Sequence, residues 1–488
     1  MQQGGDVARE VLRAYAALPV RGKPRRRDNG VNEWTVLAGI CLVQDGEEGP
    51  RVQCVALGTG LKALPHSKLP VHGDVLHDSH AEVIARRGFH LWLYAQVERE
   101  LACERAKGKG RALDAPSFLE RDTAGYWRLR SEYTVAIYVS TLPCGDASTF
   151  FLAQAAGVGG PAPGLAAPVW RDSRELLPSV GAGSTEQSAS ALRIAASLGL
   201  STAHDGFRGG SDSETPAAIV HRGRVSYSSV SCLRTKPGRA DSPPTTSHSC
   251  SDKLAVWSLL GLQGALLSQL GVRRIPIAFL VVGGVPEQLR RRVKDEVRRA
   301  VGGRLEDWAR ALGMAESDFC PPSIHFSDNV FDHAREEVAR QAGCDEADVA
   351  SCQTSLSYVA NVNETIEIIV NGIRHSAPSR RKEGEPLGPK ARSRLCKLSL
   401  FQCFEASLDN SEPDGSGQAT PRAHARSTYF AAKHARWPTE SQASTPHPGA
   451  EYQALKAALR DDSSGLFAGW LVSGEPYEHF DGLGHVVD

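Results

Sequence analysis

The chain has 488 residues and carries 56 basic and 56 acidic residues, so its formal net charge is zero. This balance argues against a protein covered in nucleic acid, although it permits a local basic face. The sequence contains no apolar run of transmembrane length and no apolar signal core, and its 11 cysteines lack the spacing of a disulfide framework. We therefore expect reduced thiols, a location in the cytosol or the nucleus, no membrane contact, and no need for a protein partner.

The N-terminal region, residues 1–33, is predicted to be a short amphipathic helix at 6–17 followed by a basic linker. Arginine and lysine residues cluster at 21–27 within this linker. Such a cluster serves as a nuclear address or an RNA contact, or it is only a solvated basic linker. The composition of the segment leaves these alternatives open.

Residues 34–488 are predicted to form one large domain in which strands and helices alternate. The predicted strands are 34–42, 52–57, 134–139, 275–282 and 364–370. The predicted helices are 79–107, 251–270, 286–300, 390–405, 429–436 and 451–459. This alternation favours a layered α/β fold, with a central sheet between helices on both faces and a helical C-terminal part.

Three segments rich in small and polar residues interrupt this pattern. They lie at about 156–225, 409–424 and 441–449. Segments of this composition cannot bury enough apolar surface to order themselves, so we predict three disordered inserts.

Three short motifs carry the candidate chemistry. His80-Ala81-Glu82 is followed by Pro143-Cys144, and His-x-Glu with a later Pro-Cys is the signature of zinc-dependent nucleobase deaminases. The second cysteine that usually follows three residues after the first is absent. Cys250, in the run Ser-Cys-Ser-Asp-Lys, is the best candidate for the third ligand. One imidazole and two thiolates leave the fourth position of a tetrahedral zinc open for water.

The proposed ligands share a predicted position. His80, Cys144 and Cys250 all fall at predicted helix starts, where Pro143 suits a first turn and the helix dipole favours thiolates. Glu82 lies two residues beyond the histidine, where it can move protons without binding metal. A lone histidine or cysteine is more often structural than metal-binding, and only the combination of the three motifs favours zinc. The remaining cysteines lack such context and are interpreted as structural.

Further motifs give the chain a family resemblance. They are Gly58-Thr59-Gly60, Asp78-Ser79-His80-Ala81-Glu82-Val83-Ile84-Ala85-Arg86-Arg87, Thr141-Leu142-Pro143-Cys144-Gly145-Asp146-Ala147, Gly261-Leu262-Gln263-Gly264 and Ser393-Arg394-Leu395-Cys396-Lys397. With these motifs the chain resembles the adenosine deaminases that act on RNA. The resemblance implies a cytidine-deaminase-like α/β fold and zinc-dependent hydrolysis of adenosine to inosine. The alternative target, C4 of cytosine, is less favoured because the closely paired cysteines of cytidine deaminases are missing.

The C-terminal part repeats a Tyr-x-x-x-Lys pattern, in Tyr429 with Lys433 and in Tyr452 with Lys456. By themselves these pairs fit exposed cation–π contacts on helix faces. The resemblance implies another role, because enzymes of this family enclose one inositol hexakisphosphate. The residues matched to that site are Arg86, Arg87, Lys253, Trp257, Lys397, Tyr429, Lys433, Tyr452, Lys456 and Trp470.

The resemblance also implies that Asp78 and Lys253 link the anion to the zinc site. The chain departs from the family pattern at two positions near these residues. Val256 stands where the family usually has an arginine that contacts phosphate, and Ala265 stands where duplex editors tend to have a serine. We expect these changes to weaken the anion site without removing it.

Within the family, the sequence is similar to the tRNA-modifying branch. No double-stranded-RNA-binding domain fits before Trp34, and only 13 residues separate Lys236 from Cys250, so the loop lacks the glutamate with which duplex editors fill the gap left by a flipped base. This similarity implies tRNA as the partner, most specifically tRNA-Ala, with deamination of adenosine 37, directly 3′ of the anticodon. Lys62, Lys236 and Arg239 are the candidate relay or substrate contacts, and Leu61 replaces a threonine common in the family.

Two other functions stay open on the sequence. One is an adenosine deaminase that acts on another structured or double-stranded RNA. The other is a non-catalytic RNA-binding protein, against which the retained Glu82 argues because such a protein has little need for a proton shuttle.

Overall fold

A computed structural model describes most of the chain. The described residues are 2–47, 49–108, 117–155, 220–223, 230–236, 242–315, 319–375, 381–410, 428–435 and 446–487. Most of each predicted insert lies outside these ranges, as does the candidate contact Arg239. Among the described helices, none is long and apolar enough to span a membrane.

The described elements confirm the alternation of strands and helices. The helices are α1 (Gln2–Ala16), α2 (Ala81–Gly108), α3 (Thr149–Ala155), α4 (Cys250–Leu260), α5 (Gly264–Gln269), α6 (Arg290–Arg298), α7 (Arg304–Ala311), α8 (Arg335–Ala342), α9 (Lys397–Asn410), α10 (Tyr429–Lys433) and α11 (Pro448–Leu459). The strands are β1 (Leu37–Gln44), β2 (Arg51–Thr59), β3 (Leu61–Ala63), β4 (Asp78–His80), β5 (Leu119–Arg121), β6 (Trp127–Leu129), β7 (Tyr133–Val139), β8 (Val220–Arg222), β9 (Leu233–Thr235), β10 (Phe279–Val282), β11 (Ser323–Phe326), β12 (Ser355–Val359), β13 (Ile366–Val370) and β14 (Ile373–Arg374). A π-helical turn (Arg299–Gly303) joins α6 to α7, and short 3-10 helices occupy His66–Lys68, Glu287–Leu289, Glu346–Asp348 and Glu475–Tyr477.

Eight strands form one mixed sheet in the order β11-β10-β7-β1-β2-β12-β13-β14. Strand β10 runs parallel to both β7 and β11, and the other neighbours pair antiparallel. The sheet confirms the predicted α/β class.

Helices α1 and α2 cover opposite faces of the sheet centre. Along β1, Leu37 and Val43 belong to the apolar cluster of α1, whereas Ala38 and Ile40 belong to the cluster of α2. This division follows from the two-residue period of a strand. Glycine permits the close approach of α2, because a Cβ atom at Gly58 would lie 2.4 Å from the side chain of Ile84.

Several predicted boundaries are wrong. No helix begins at Pro143, because residues 141–148 form bends and turns and α3 starts only at Thr149. The predicted helix at 251–270 is two helices, interrupted at Gly261, which has a φ of +86°. The predicted helix at 390–405 begins at Lys397, so residues 390–396 are not helical.

The edges of the predicted inserts are also ordered where the structure describes them. Strand β8 lies inside the first predicted insert and pairs parallel with β9. Helix α9 runs through Asn410, and α11 begins at Pro448, so the second and third predicted inserts each extend too far. These short segments gain their order from tertiary pairing that composition does not reveal.

The sheet brings two candidate ligands to one end. Thr59 of β2 pairs with Leu37, and Val139 of β7 pairs with the next residue, Ala38. Strands β2 and β7 therefore end at the same edge of the sheet, with β1 between them. Beyond β2 the chain enters β3, which places Leu61 opposite His80 of β4. Beyond β7 it enters the loop that carries Cys144.

Candidate metal centre and adjoining basic recess

His80, Cys144 and Cys250 meet at this end of the sheet with their ligand atoms within 4.8 Å of one another. The Nδ1 atom of His80 lies 3.9 Å from Sγ of Cys144 and 3.6 Å from Sγ of Cys250. Tetrahedral zinc, with bonds of about 2.3 Å to sulfur and about 2.0 Å to nitrogen, requires nitrogen–sulfur separations of about 3.6 Å. The three side chains therefore fit a zinc ion.

The cysteine segments are joined through the first turn of α4. The hydroxyl of Ser251 donates to the carbonyl of Cys144 over 2.9 Å, and the backbone N–H of Ser251 donates to the same carbonyl over 3.0 Å. Gly145, with a φ of +101°, makes this contact possible, since a Cβ atom there would lie 2.1 Å from the hydroxyl of Ser249. Ser249 also caps α4 by accepting a hydrogen bond from the N–H of Asp252.

Two of the three ligands keep the predicted position at a helix start, and the third does not. His80 immediately precedes α2, and Cys250 is the first residue of α4. Cys144 lies in a loop, yet it still faces the positive end of a helix because the backbone N–H of Cys250 points at its Sγ atom over 3.4 Å. Its thiolate is therefore stabilised by α4 rather than by a helix of its own.

The two thiols differ in their tendency to ionise. A hydrogen bond from Cys250, together with the charge of Lys236, holds the pKa of the Cys144 thiol well below its ordinary value. Burial raises the pKa of Cys250, and the neighbouring Cys144 thiolate raises it further. The pair therefore favours one thiolate without metal, and a divalent cation would favour both.

Glu82 is the residue that the sequence predicts to transfer protons. It lies in the first turn of α2, is 5% exposed, and is not one of the clustered ligands. Burial raises the pKa of its carboxyl group, and the Cys144 thiolate adds to this effect, so the group holds a proton more readily than an exposed glutamate.

A buried polar network contacts the candidate metal centre through Lys236, which lies 3.3 Å from the Cys250 sulfur. Lys236 donates to Oδ2 of Asp78 over 2.7 Å, and Ser247 donates to the same oxygen over 2.5 Å. Lys253 also donates to this oxygen and, over 2.6 Å, to the Ser247 hydroxyl. Burial alone would raise the pKa of Asp78, but the two ammonium groups hold it well below its ordinary value. The structure thus brings together Asp78, Lys236 and Lys253, and it adds Ser247, which the sequence did not indicate.

The other predicted anion-site residues form a basic cluster next to this network, which we call the basic recess. It consists of Arg86, Arg87, Trp257, Lys397, Tyr429, Lys433, Tyr452, Lys456 and Trp470. His77 contacts the Thr245 hydroxyl over 2.7 Å, and burial, with the charges of Lys253 and Lys397, lowers its pKa to about 3 despite Asp78. Lys397 and Lys433 both donate to Oε1 of Glu478, the former over 3.2 Å. Burial alone would raise the pKa of Glu478, but these lysines hold it well below its ordinary value.

Two cations of the basic recess, Lys456 and Arg460, form no ion pair with a carboxylate within the described part of the chain. Burial lowers the pKa of Lys456 well below its ordinary value, and Lys433 and Arg460 lower it further. Within the described residues Lys456 has no ion-pair partner, and the Nε atom of Arg460 is buried without a hydrogen-bond partner. Such groups are costly unless an anion neutralises them.

Aromatic rings form the walls of this recess. The Arg86 guanidinium lies 4.9 Å from the centre of the Trp257 ring, and Arg460 lies 4.6 Å from that of Trp470. Lys397 and Lys433 lie 5.8 and 5.6 Å from the centre of the Tyr429 ring. Tyr429 is buried, whereas Lys433, Tyr452 and Lys456 are half-buried, so these side chains are not fully exposed on helix faces.

The structure extends the predicted anion-site set. Arg460 and Glu478 belong to the recess but were not indicated by the sequence. Arg460 lies one helical turn after Lys456, a spacing that extends the Tyr-x-x-x-Lys pattern, whereas Glu478 had no signal. Tyr452 interacts with Arg86, whose pKa burial lowers to about 10. Arg87 donates to the carbonyl of Leu395.

The predicted substrate contacts are less complete. Lys62 of β3 is exposed, pairs with Ser79 of β4, and donates to the Ser351 hydroxyl over 3.1 Å. Leu61 pairs directly with His80. Val256, at the position where the resemblance implies an arginine, is buried in the core.

An α/β sheet that presents His-x-Glu at a helix start to two cysteines has the architecture of the nucleobase deaminases. A family model described as the adenosine-deaminase (editase) domain matches residues 56–444. The chain belongs to this family and is an enzyme that deaminates adenosine.

Several known proteins are similar to the chain over most of its length. It is 28% identical to tRNA-specific adenosine deaminase 1 of Mus musculus over 470 residues, with 81% of this chain and 87% of the relative covered. It is 23% identical over 411 residues to the protein of the same name from Saccharomyces cerevisiae, with 82% and 83% covered. The double-stranded RNA-specific editase Adar of Drosophila melanogaster is 26% identical over 272 residues, with 55% of this chain and 32% of the relative covered.

Proposed function

We propose that the chain converts adenosine to inosine in tRNA by zinc-dependent hydrolysis. The observation that carries the proposal is the cluster of His80, Cys144 and Cys250 beside the buried Glu82, in a chain whose family is adenosine deaminases. Zinc, when bound, supplies a Lewis acid that activates water near neutral pH.

The side chains divide the remaining work. Glu82, with its raised pKa, accepts a proton from the attacking water and delivers it to N1 of the adenine. It then accepts the proton of the new hydroxyl group at C6 and delivers it to the amino group, which departs as ammonia. Asp78 holds Lys236 against the Cys250 sulfur and so stabilises the ligand thiolates. Glu82, Asp78 and Lys236 are buried, which strengthens each of these electrostatic interactions.

The choice of tRNA rests on similarity over the greater part of the chain. Relatives named tRNA-specific adenosine deaminase 1 cover about four-fifths of it, whereas the Drosophila editase covers 55%. We propose the adenosine directly 3′ of the anticodon of tRNA-Ala as the target, with basic residues at 21–27 and Arg239 as phosphate contacts. An anticodon loop is single-stranded, so the base reaches the pocket at little cost. Cytosol and nucleus, where tRNA is processed and thiols stay reduced, are the proposed locations.

We also propose that the basic recess encloses one inositol hexakisphosphate. Lys456 and Arg460 need an anion, and Lys397 and Lys433 share a single carboxylate, Glu478. A polyphosphate would neutralise all of these groups, and the aromatic walls would fix its orientation.

The direct test is to incubate purified protein with an unmodified tRNA-Ala transcript and sequence the product. Inosine is read as guanosine, so the deaminated position identifies itself. Elemental analysis of the same protein should give one zinc per chain. The control is Cys250→Ala, which should lose both zinc and activity, while Cys320→Ala, at an exposed thiol, should keep both. An active, zinc-free wild-type protein would overturn the proposal.

A further inference from the structure

Each cysteine of the metal centre is followed, two residues later, by an aspartate. Asp146 follows Cys144, and Asp252 follows Cys250. The side chains of both aspartates are completely buried, at 0% accessibility. A buried carboxylate is retained only when it is paired and hydrogen-bonded, so the partners of these two residues determine how the cysteine segments are held.

Both partners are arginines that flank the same helical turn. Arg299 pairs with Oδ2 of Asp146 over 2.6 Å and donates to the backbone carbonyl of that residue over 3.1 Å. Arg304 pairs with Oδ1 of Asp252 over 2.9 Å. We call Arg299 and Arg304 the arginine clamp.

The π-helical turn explains how one helix end reaches both aspartates. In an α-helix, positions five apart point about 140° away from each other, because each residue turns the chain by about 100°. The turn at Arg299–Gly303 is π-helical, and its i to i+5 spacing returns Arg304 to the face of Arg299. Ala300 and Val301 of this turn are fully buried, so packing keeps the turn in place.

The same aspartates hold the segment that leads to Lys236. Asp146 accepts a hydrogen bond from the backbone N–H of Ser231 over 2.9 Å, and Asp252 accepts one from the N–H of Arg234 over 2.9 Å. Ser231 has a φ of +57°, a conformation unusual for a residue other than glycine, which the surrounding bonds must maintain. The clamp therefore fixes both thiolate ligands and the strand before Lys236.

We propose that Arg299 and Arg304 are positioning residues that hold Cys144 and Cys250 at the separation required for zinc and thereby slow the loss of the metal. The proposal rests on the proposed zinc-dependent function. Residues that orient metal ligands typically change metal affinity by about ten- to a hundredfold when they are replaced. Neither arginine touches the reacting atoms, so their effect passes through the two aspartates.

The main experiment compares Arg299→Gln with Arg298→Gln in the full-length, zinc-loaded protein. Arg298 is the adjacent residue, but its side chain is 64% accessible and pairs with Glu306 at 3.6 Å, away from the metal centre. The measurement is the rate at which zinc passes to an excess of a coloured chelator. We expect Arg299→Gln to release zinc about ten- to a hundredfold faster than wild type, and Arg298→Gln to match wild type.

Two further variants, Arg299→Lys and Asp146→Asn, test the proposal if Arg299→Gln does not fold. Arg299→Lys keeps the charge but lacks the two-pronged guanidinium that bonds Oδ2 and the backbone carbonyl of Asp146 together, so its zinc release should be intermediate. Asp146→Asn should accelerate release, and adding Arg299→Lys to it should have little further effect. A general stabilising role would instead lower the unfolding temperature of zinc-bound and zinc-stripped protein alike, with the release rate unchanged.

The outcomes separate this inference from the proposed function. Wild-type protein that is active without zinc overturns the zinc-dependent function itself. Wild-type protein that holds zinc, together with folded Arg299→Gln or Arg299→Lys variants that release it at the wild-type rate, overturns only the arginine clamp.

Discussion

Lys236 donates a hydrogen bond to Asp78 over 2.7 Å, in an ion pair whose side chains are only 3% and 5% accessible. The same Nζ atom lies 3.3 Å from Sγ of Cys250. Burial alone would lower the pKa of Lys236, but Asp78 and the two cysteine sulfurs raise it, so the ammonium group stays charged beside the thiolates. The positive charge of Lys236 thus stabilises the thiolates although Lys236 is not itself a candidate metal ligand.

Replacing this lysine should destabilise the protein and weaken its hold on metal. We expect Lys236→Met to lower the free energy of unfolding by about 2 kcal/mol, because Asp78 loses one of its two ammonium partners and keeps only Lys253. Denaturant unfolding measures this change, and zinc content should fall with it. The exposed Lys294→Met is the control and should unfold like wild type.

Glu82→Gln should separate chemistry from metal binding. The amide keeps the size of the side chain but cannot exchange the proton, so single-turnover deamination should fall by about a hundred- to ten-thousandfold. Zinc content and unfolding should stay near wild type because Glu82 is not among the clustered ligands. A variant with a near-normal rate would show that another group transfers the proton.

The metal centre was largely predictable because its signals are local. Each motif can be recognised within a few residues of sequence, namely His80-Ala81-Glu82, Pro143-Cys144 and the run around Cys250. The predicted helix at Cys144 failed because Pro143 is only a permissive signal, and Gly145 adopts a positive φ that ends any helix there. The arginine clamp was beyond sequence reasoning, since Arg299 meets Asp146 across 153 positions.

The basic recess shows the same limit. The Tyr-x-x-x-Lys pairs are equally compatible with exposed helix faces and with an internal site, and only packing distinguishes these possibilities. Glu478, which Lys397 and Lys433 share, comes from a separate segment close to the C-terminus. Its role depends on tertiary contacts that no local pattern encodes.

Glu478 gives the stability of the protein a defined pH dependence. Its pKa is depressed in the folded state, so its stabilising contribution is present above the unfolded pKa of about 4.3 and is lost as the pH falls through the folded value. We expect Glu478→Gln to be less stable than wild type by about 3 kcal/mol at pH 7, and this difference to shrink below about pH 4. Denaturant unfolding at several pH values measures the difference. Glu475→Gln, at a side chain that is 53% accessible, should show no such trend.

Purified protein should carry an inositol polyphosphate that is released only on denaturation. Lys456→Ala should reduce the amount bound, because this lysine is half-buried and has no carboxylate partner among the described residues. Mass spectrometry of the extract gives the ratio of ligand to protein, with the exposed Lys294→Ala as control. A fully active preparation without any inositol phosphate would show that the lysines and arginines of the basic recess need no bound anion.

The final prediction concerns the choice of RNA. We expect inosine directly 3′ of the anticodon of intact tRNA-Ala, and little product from an isolated anticodon stem-loop or a long perfect duplex. We expect the site to recognise the adenine, and phosphate contacts by basic residues such as those at 21–27 and Arg239 to supply affinity for the folded tRNA. Binding should therefore weaken steeply with salt, and neutralising Arg25, Arg26 and Arg27 together should reduce the slope of log K against log salt by about two to three.

The comparison is made in one assay, with the three RNAs at equal concentration and the same ionic strength. Triple replacement of Arg25, Arg26 and Arg27 by Gln should raise KM for tRNA and leave the single-turnover rate at saturation unchanged, because these residues lie outside the metal centre. Efficient editing of the long duplex, with tRNA unmodified under the same conditions, would assign the chain to the duplex-editing branch of its family. Editing of the stem-loop at the rate of intact tRNA would show that the anticodon loop alone supplies the recognition.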